Sequence, residues 1–171
     1  MKIFTLSVTV CLVFLCMKGA YGQATEHKIQ SIFIYNFAKY TQWPASVQSG
    51  DFIIEIMGKS PLADELEKLV TNKSVGTQKI TVRRITSSDQ IGACHILVLP
   101  GNESKNFESA QTKVKGKPTL LITGKPGLGQ KGSGINFVLK EDRWAYELNQ
   151  ATLTENGLRV STEISKLAIS I

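Results

Sequence analysis

The chain has 171 residues with a formal net charge of +6, and 42% of its residues are hydrophobic. Its basic residues are dispersed, and Arg83-Arg84 is the only basic pair. A nucleic-acid-binding protein is therefore disfavoured, because such proteins concentrate lysine and arginine in blocks or stripes.

The first 22 residues predict a cleaved signal peptide. Lys2 supplies a positive charge, residues 3–17 are almost wholly apolar, and Ala20 and Gly22 have the spacing that signal peptidase requires. We expect cleavage after Gly22 and export to the periplasm. The alternative is a permanent membrane anchor, although the 15-residue run is short for a span of about 20 residues.

Cleavage leaves 149 residues with a formal charge of +4. That length predicts one domain, residues 23–171, with a core of its own. Two of the three cysteines leave with the signal peptide, so Cys94 stands alone. A single cysteine cannot form an intramolecular disulfide, and we expect the core to hold the fold together.

The first predicted helix spans Glu26–Gln42. Helical spacing assigns its buried stripe to Ile29, Ile32, Phe33, Phe37 and Tyr40. Tyr35 lies off this stripe. Trp43-Pro44 ends the helix, because a residue before proline is displaced from helical geometry.

A strand at Phe52–Met57 and a second helix follow. Ser60 is the expected cap of this helix and Pro61 its first residue. Asp64 and Lys68 are expected to form an ion pair on its outer face. The predicted buried residues of the helix are Leu62, Leu66, Leu69 and Val70.

The middle of the chain predicts three strands and a helix. Lys79–Ile85 alternates in polarity, as a half-exposed strand does. Cys94–Leu99 and Thr119–Thr123 are continuous apolar runs, which is typical of strands buried on both faces. Glu103–Val114 predicts a weak helix between them.

The last third begins with a predicted hairpin, formed by Ile135–Leu139 and Trp144–Leu148. A helix over Leu148–Asn156 and a final helix from about Ser161 to Ile171 complete the chain. Early alternation of helices and strands followed by a late β-hairpin predicts an α/β fold: a single domain with a mixed β-sheet and helices packed on both faces.

The segment Gly127–Gly132 matches the G-x-G-x-x-G pattern of dinucleotide sites. Such a site needs a helix after the glycines to receive the phosphates, whereas a strand is predicted here. We therefore interpret the segment as a tight turn and expect no nucleotide and no cofactor.

Cys94 and His95 do not predict a metal or catalytic site. Consecutive side chains of a strand point to opposite faces, so the two cannot converge on one ion. His27 is the only other histidine, so His27 and His95 are the only candidate bases for a catalytic triad. These observations favour a non-enzymatic protein with a buried, inert Cys94.

An aromatic cluster at the end of the first helix indicates a binding surface. Aromatic side chains contribute strongly to interfaces, and we expect Trp43 to contribute more to association than to folding. The stripe of the final helix is a weaker candidate. The candidate partner-binding residues are Tyr35, Tyr40, Trp43, Pro44 and Arg143.

Several strings make the chain resemble the YfiR-like family of periplasmic proteins. The most specific is Tyr35–Pro44 (YNFAKYTQWP); Cys94–Leu99, Gly134–Leu139 and Tyr146–Asn149 follow in the same order. The resemblance implies an α/β domain, often dimeric, that represses an inner-membrane diguanylate cyclase and thereby lowers cyclic-di-GMP and biofilm formation.

The resemblance leaves two points open. Well-known members carry several cysteines and respond to redox state, which Cys94 alone does not support. The partner is either a diguanylate cyclase or a sensor kinase with a periplasmic domain. A periplasmic receptor for a small ligand remains the alternative function.

Overall fold

A computed structural model describes residues 26–171, and the predicted signal peptide lies outside the described residues. The helices are α1 (residues 26–40), α2 (Pro61–Val70), α3 (Phe107–Val114), α4 (Gln150–Glu155) and α5 (Thr162–Leu167). The strands are β1 (Thr41–Gln42), β2 (Phe52–Met57), β3 (Ser74–Val75), β4 (Gln78–Ile85), β5 (Ile96–Leu99), β6 (Leu120–Thr123), β7 (Ile135–Lys140), β8 (Arg143–Leu148), β9 (Arg159–Val160) and β10 (Ile169–Ser170).

The main sheet is mixed, with strand order β10-β8-β7-β6-β5-β2-β4-β3. The central strands β4, β2, β5, β6 and β7 run parallel, and β7 and β8 form the predicted antiparallel hairpin. A second, two-stranded sheet pairs β1 with β9. The α/β fold class predicted from the sequence is confirmed.

Apolar side chains from the two faces of the sheet form two cores. The larger core joins the sheet to α1, α2, α4 and α5. The smaller one packs α3 through Phe107, Ala110 and Val114. The buried strands β5 and β6 lie at the centre and contribute to both cores.

The buried face of α1 differs from the predicted one. Ile34, Phe37 and Ala38 are fully buried, whereas Ile32 and Tyr40 are 43% and 40% exposed. The polar residues Gln30 and Ser31 are buried as well. The apolar residues of α1 are distributed around its whole circumference. Periodicity alone therefore selected a stripe that is rotated away from the face that meets the sheet.

Two ends were also predicted wrongly. α1 stops at residue 40, and Thr41–Gln42 pairs with Arg159–Val160 instead of continuing the helix. The final helix stops at Leu167, after which Ile169–Ser170 adds a parallel strand beside β8. In both places strand pairing satisfies backbone groups that a longer helix would have satisfied itself.

The cap of α2 is confirmed, since the Leu62 N–H donates to Ser60 Oγ at 3.3 Å. The predicted Asp64–Lys68 pair is wrong. Asp64 accepts instead from Arg84 of β4, and Lys68 pairs with Glu65 at 3.0 Å. Ala63 is buried and the predicted Leu69 is not, so α2 faces the sheet with one small residue.

The glycine-rich segment forms a packed turn that leads directly into β7. Gly127 and Gly132 have φ angles of +84° and +107°, which favour glycine. The Asn149 side-chain amide donates to the Gly129 carbonyl at 3.0 Å, and that of Gln111 donates to the Lys131 carbonyl at 2.8 Å. The turn is therefore fastened to α3 and to the end of β8.

Candidate partner-binding surface

Aromatic side chains anchor α1 on the sheet. The ring centroids of Phe37 and Tyr146 lie 4.8 Å apart, and those of Phe33 and Tyr146 lie 5.4 Å apart, both edge to face. Phe137 of β7 packs against both phenylalanines. The rings fix the rotation of α1 about its axis and so determine which residues reach solvent.

The solvent-facing side of α1, which we call the outer stripe, comprises Lys28, Ile32, Asn36, Lys39 and Tyr40. Asn36 is half-buried and the other four are exposed. Ile32 and Tyr40 expose large apolar areas, and the Lys39 ammonium lies 5.3 Å from the centre of the Tyr40 ring. The stripe is thus apolar with positive charges beside it, a composition suited to contact with another protein.

Trp43 was expected to lie at a binding surface, but its side chain is turned away from solvent. Its side chain is 8% exposed and belongs to the larger core. The indole N–H donates to the Ala38 carbonyl at 3.0 Å, and the ring meets Phe52 edge to face at 5.1 Å. The hydrogen bond folds the chain back under the end of α1, so the indole closes the core at this point.

The remaining candidate residues do not form one cluster. Tyr35 and Pro44 are half-buried, and the Tyr35 ring lies under the Lys73 ammonium at 4.5 Å. Arg143 is exposed at the tip of the β7–β8 hairpin. That hairpin projects past the carboxyl ends of the parallel strands, whereas Trp43 and Pro44 lie beside their amino ends. The structure therefore separates Arg143 from the end of α1.

Two leucines outside the five candidate residues are exposed, and one of them, Leu167, lies on the stripe of the final helix. Leu139 near the hairpin tip is 59% exposed and Leu167 at the end of α5 is 71% exposed. Leu139 lies two residues after the buried Phe137 and on the same face of β7. Only the projection of the hairpin beyond the sheet exposes it.

Cys94 is buried, as predicted, and belongs to the smaller core. Burial raises the pKa of the Cys94 thiol well above its ordinary range, and the neighbouring Glu55 carboxylate raises this pKa further. Glu55 is itself 2% exposed and accepts from the Gly92 N–H at 3.2 Å. Both effects suppress the thiolate, which is the reactive form.

We expect Cys94 to react with a thiol reagent more than about a hundredfold more slowly in native protein than in urea-unfolded protein, because reaction requires opening of the core. Reaction is followed by the absorbance of the released thiolate. Cys94→Ala serves as the control, since any label it takes up reports a cysteine of the first 22 residues. Rapid labelling of the native protein would restore a redox role for Cys94.

Residues 26–171 contain no group of three or more His, Cys, Asp or Glu side chains placed to hold a metal ion. In the same range, the helices are all too short or too polar to cross a bilayer.

The model of a family described as YfiR/HmsC-like matches residues 27–169, nearly the whole of the described chain. No curated protein matches the sequence.

Proposed function

Because the chain belongs to the YfiR/HmsC-like family, we propose that it is a non-enzymatic periplasmic regulator. On this proposal the chain binds the periplasmic part of an inner-membrane diguanylate cyclase and holds the enzyme in a less active state. The observation that carries the proposal is the family match over residues 27–169. Residues 1–22 act as the signal peptide that delivers a single domain, residues 23–171, to that compartment.

The outer stripe of α1 supports a role in binding. Ile32 and Tyr40 are large apolar side chains that α1 leaves in solvent although its other face is fully buried. Exposing them costs free energy unless another surface covers them. We propose that the partner covers this stripe, with Lys28 and Lys39 facing acidic groups at its rim.

The hairpin supplies a second contact region in this proposal. Leu139 and Arg143 lie on paired strands near its tip, and both are exposed. Glu141 and Asp142 have φ angles of +50° and +57°, which define a tight two-residue turn. The tip is therefore a fixed projection, and a homodimer or a larger partner would contact it without reordering it.

The proposal is tested by measuring cyclic-di-GMP in the native bacterium. Deleting the gene should raise cyclic-di-GMP and biofilm formation, and the full chain supplied in trans should reverse both. A chain that lacks residues 2–22 should fail to reverse them, since it stays on the wrong side of the membrane. Unchanged cyclic-di-GMP after deletion would refute the cyclase as partner and leave a sensor kinase to be tested.

A further inference from the structure

A cavity of about 680 Å³ opens beside the amino ends of β2 and β5. Its walls are the loop before β2, the segment that leads into β5, and the end of α3 with the residues that follow it. The lining includes Val47, Ile53, Ile91, Cys94, Val114 and Pro118. Its volume is within the range of ordinary small-molecule sites.

Hydrogen bonds from two buried side chains, His95 and Gln78, fix the loop wall of this cavity. The His95 ring accepts from the Ile53 N–H at its Nδ1 atom (3.0 Å), and its Nε2 atom lies 2.7 Å from the Val47 carbonyl. The Gln78 amide, also buried, donates to the carbonyls of Val47, Ser49 and Gly50 at 3.1–3.3 Å. The cavity is therefore formed in advance, and a ligand would not have to order it.

The charges at the rim of the cavity favour an anion. Lys113 and Lys117 both line it, and neither forms a salt bridge with a residue in the described range. Lys115, which lies between them in sequence, is absent from the lining and pairs with Glu155 at 3.5 Å. The lining also contains one acid, Asp51, which accepts from the Thr81 hydroxyl at 2.8 Å, so two cations face one carboxylate.

A second concave site lies at the carboxyl ends of the same strands, but its chemistry is different. That cleft is about half as large, at 330 Å³, and it carries Lys59 and Glu26, whose charges oppose each other. It shows no comparable preference for a charged ligand. The amino-end cavity combines greater volume with an apolar lining and unpaired cations.

We propose that the amino-end cavity binds a small amphipathic carboxylate. The apolar body packs against Ile53 and Val114, and the carboxylate lies between the ammonium groups of Lys113 and Lys117. A fatty acid released from the membrane and an aromatic acid share this chemistry. Cys94 belongs to the same wall but is 8% exposed, so a bound ligand slows its labelling by stabilising the closed core.

The test is a calorimetric titration of the mature protein with laurate, below the concentration at which laurate forms micelles. We expect one site per chain, slower labelling of Cys94 in mild urea, and at least about tenfold weaker binding of dodecanol, which has no charge. A parallel titration with 2-naphthoate distinguishes an aromatic ligand from a fatty one. Failure of both acids to bind, or equal binding of dodecanol, would overturn the proposal.

Matched variants locate the site. Lys113→Gln combined with Lys117→Gln should weaken laurate binding at least about tenfold, whereas Lys115→Gln should leave it within about twofold. All three lysines are exposed, so the variants should fold. If the double variant binds laurate as the wild type does, the lysines only compensate the dipole of α3 and the proposal fails. The regulatory function is tested separately, by cyclic-di-GMP.

Discussion

Replacing Trp43 by alanine is expected to lower the free energy of unfolding by about 3–5 kcal/mol, the range for removing a large aromatic side chain from a core. The indole is 8% exposed and packs edge to face against Phe52 and His95. Its loss leaves a cavity beneath the end of α1 and removes the hydrogen bond to the Ala38 carbonyl. Urea unfolding followed by circular dichroism measures the effect.

Tyr40→Ala is the matched control, because Tyr40 lies three residues away and is 40% exposed. It should change the free energy of unfolding by no more than about 0.5 kcal/mol. Trp43→Phe retains part of the ring and should fall between the two variants. If Trp43→Ala has the same midpoint urea concentration of unfolding as the wild type, the indole is not part of the core. Trp43 would then again be a candidate interface residue.

Ile32→Asp is expected to weaken binding of the membrane partner by at least about 2 kcal/mol, or roughly thirtyfold. Ile32 is the most exposed apolar residue of the outer stripe. An aspartate at this position removes apolar contact. Its negative charge also repels the acidic partner groups that we propose to face Lys28 and Lys39. Binding is measured by titrating the immobilised periplasmic part of the partner.

Thr112→Asp on α3 is the control for that substitution, since it adds the same charge to an exposed position on the opposite face of the sheet. Both variants should unfold at nearly the same urea concentration as the wild type. Equal binding by Ile32→Asp and the wild type would remove α1 from the interface and direct attention to Leu139 and Arg143.

The buried strands could be predicted because their residues reveal that both faces are covered. β5 and β6 are uninterrupted apolar runs, which only a strand covered on both faces requires. The cap of α2 could be predicted for a similar reason, since Ser60 and Pro61 act within one helical turn. Local chemistry was sufficient in these places.

Features that depend on tertiary contacts could not be predicted. Asp64 was expected to pair within α2, but Arg84 lies on a strand that follows α2 and packs beside it. Ala168 and Ile171 continue the apolar spacing of the final helix, but the free edge of β8 pairs with Ile169–Ser170 and makes this segment a strand. The rotation of α1 depends on Phe137 and Tyr146, a hundred residues further along the chain.

The candidate partner-binding residues fall on different surfaces for the same reason. Aromatic density marked the end of α1, yet Trp43 turned inward and Tyr40 outward. Composition cannot separate these two cases, because an aromatic residue suits a core and an interface equally. Arg143 was grouped with this surface, but the strand register places it at the far end of the sheet.

Binding to a membrane signalling protein is the central claim, and capture from the native envelope tests it most directly. Mature protein immobilised on resin is incubated with detergent-solubilised envelope, and retained proteins are identified by mass spectrometry. We expect a membrane protein with a periplasmic region and a diguanylate cyclase domain, retained by the wild type and by Thr112→Asp but depleted by Ile32→Asp. Retention of no membrane signalling protein by the wild type would contradict the account.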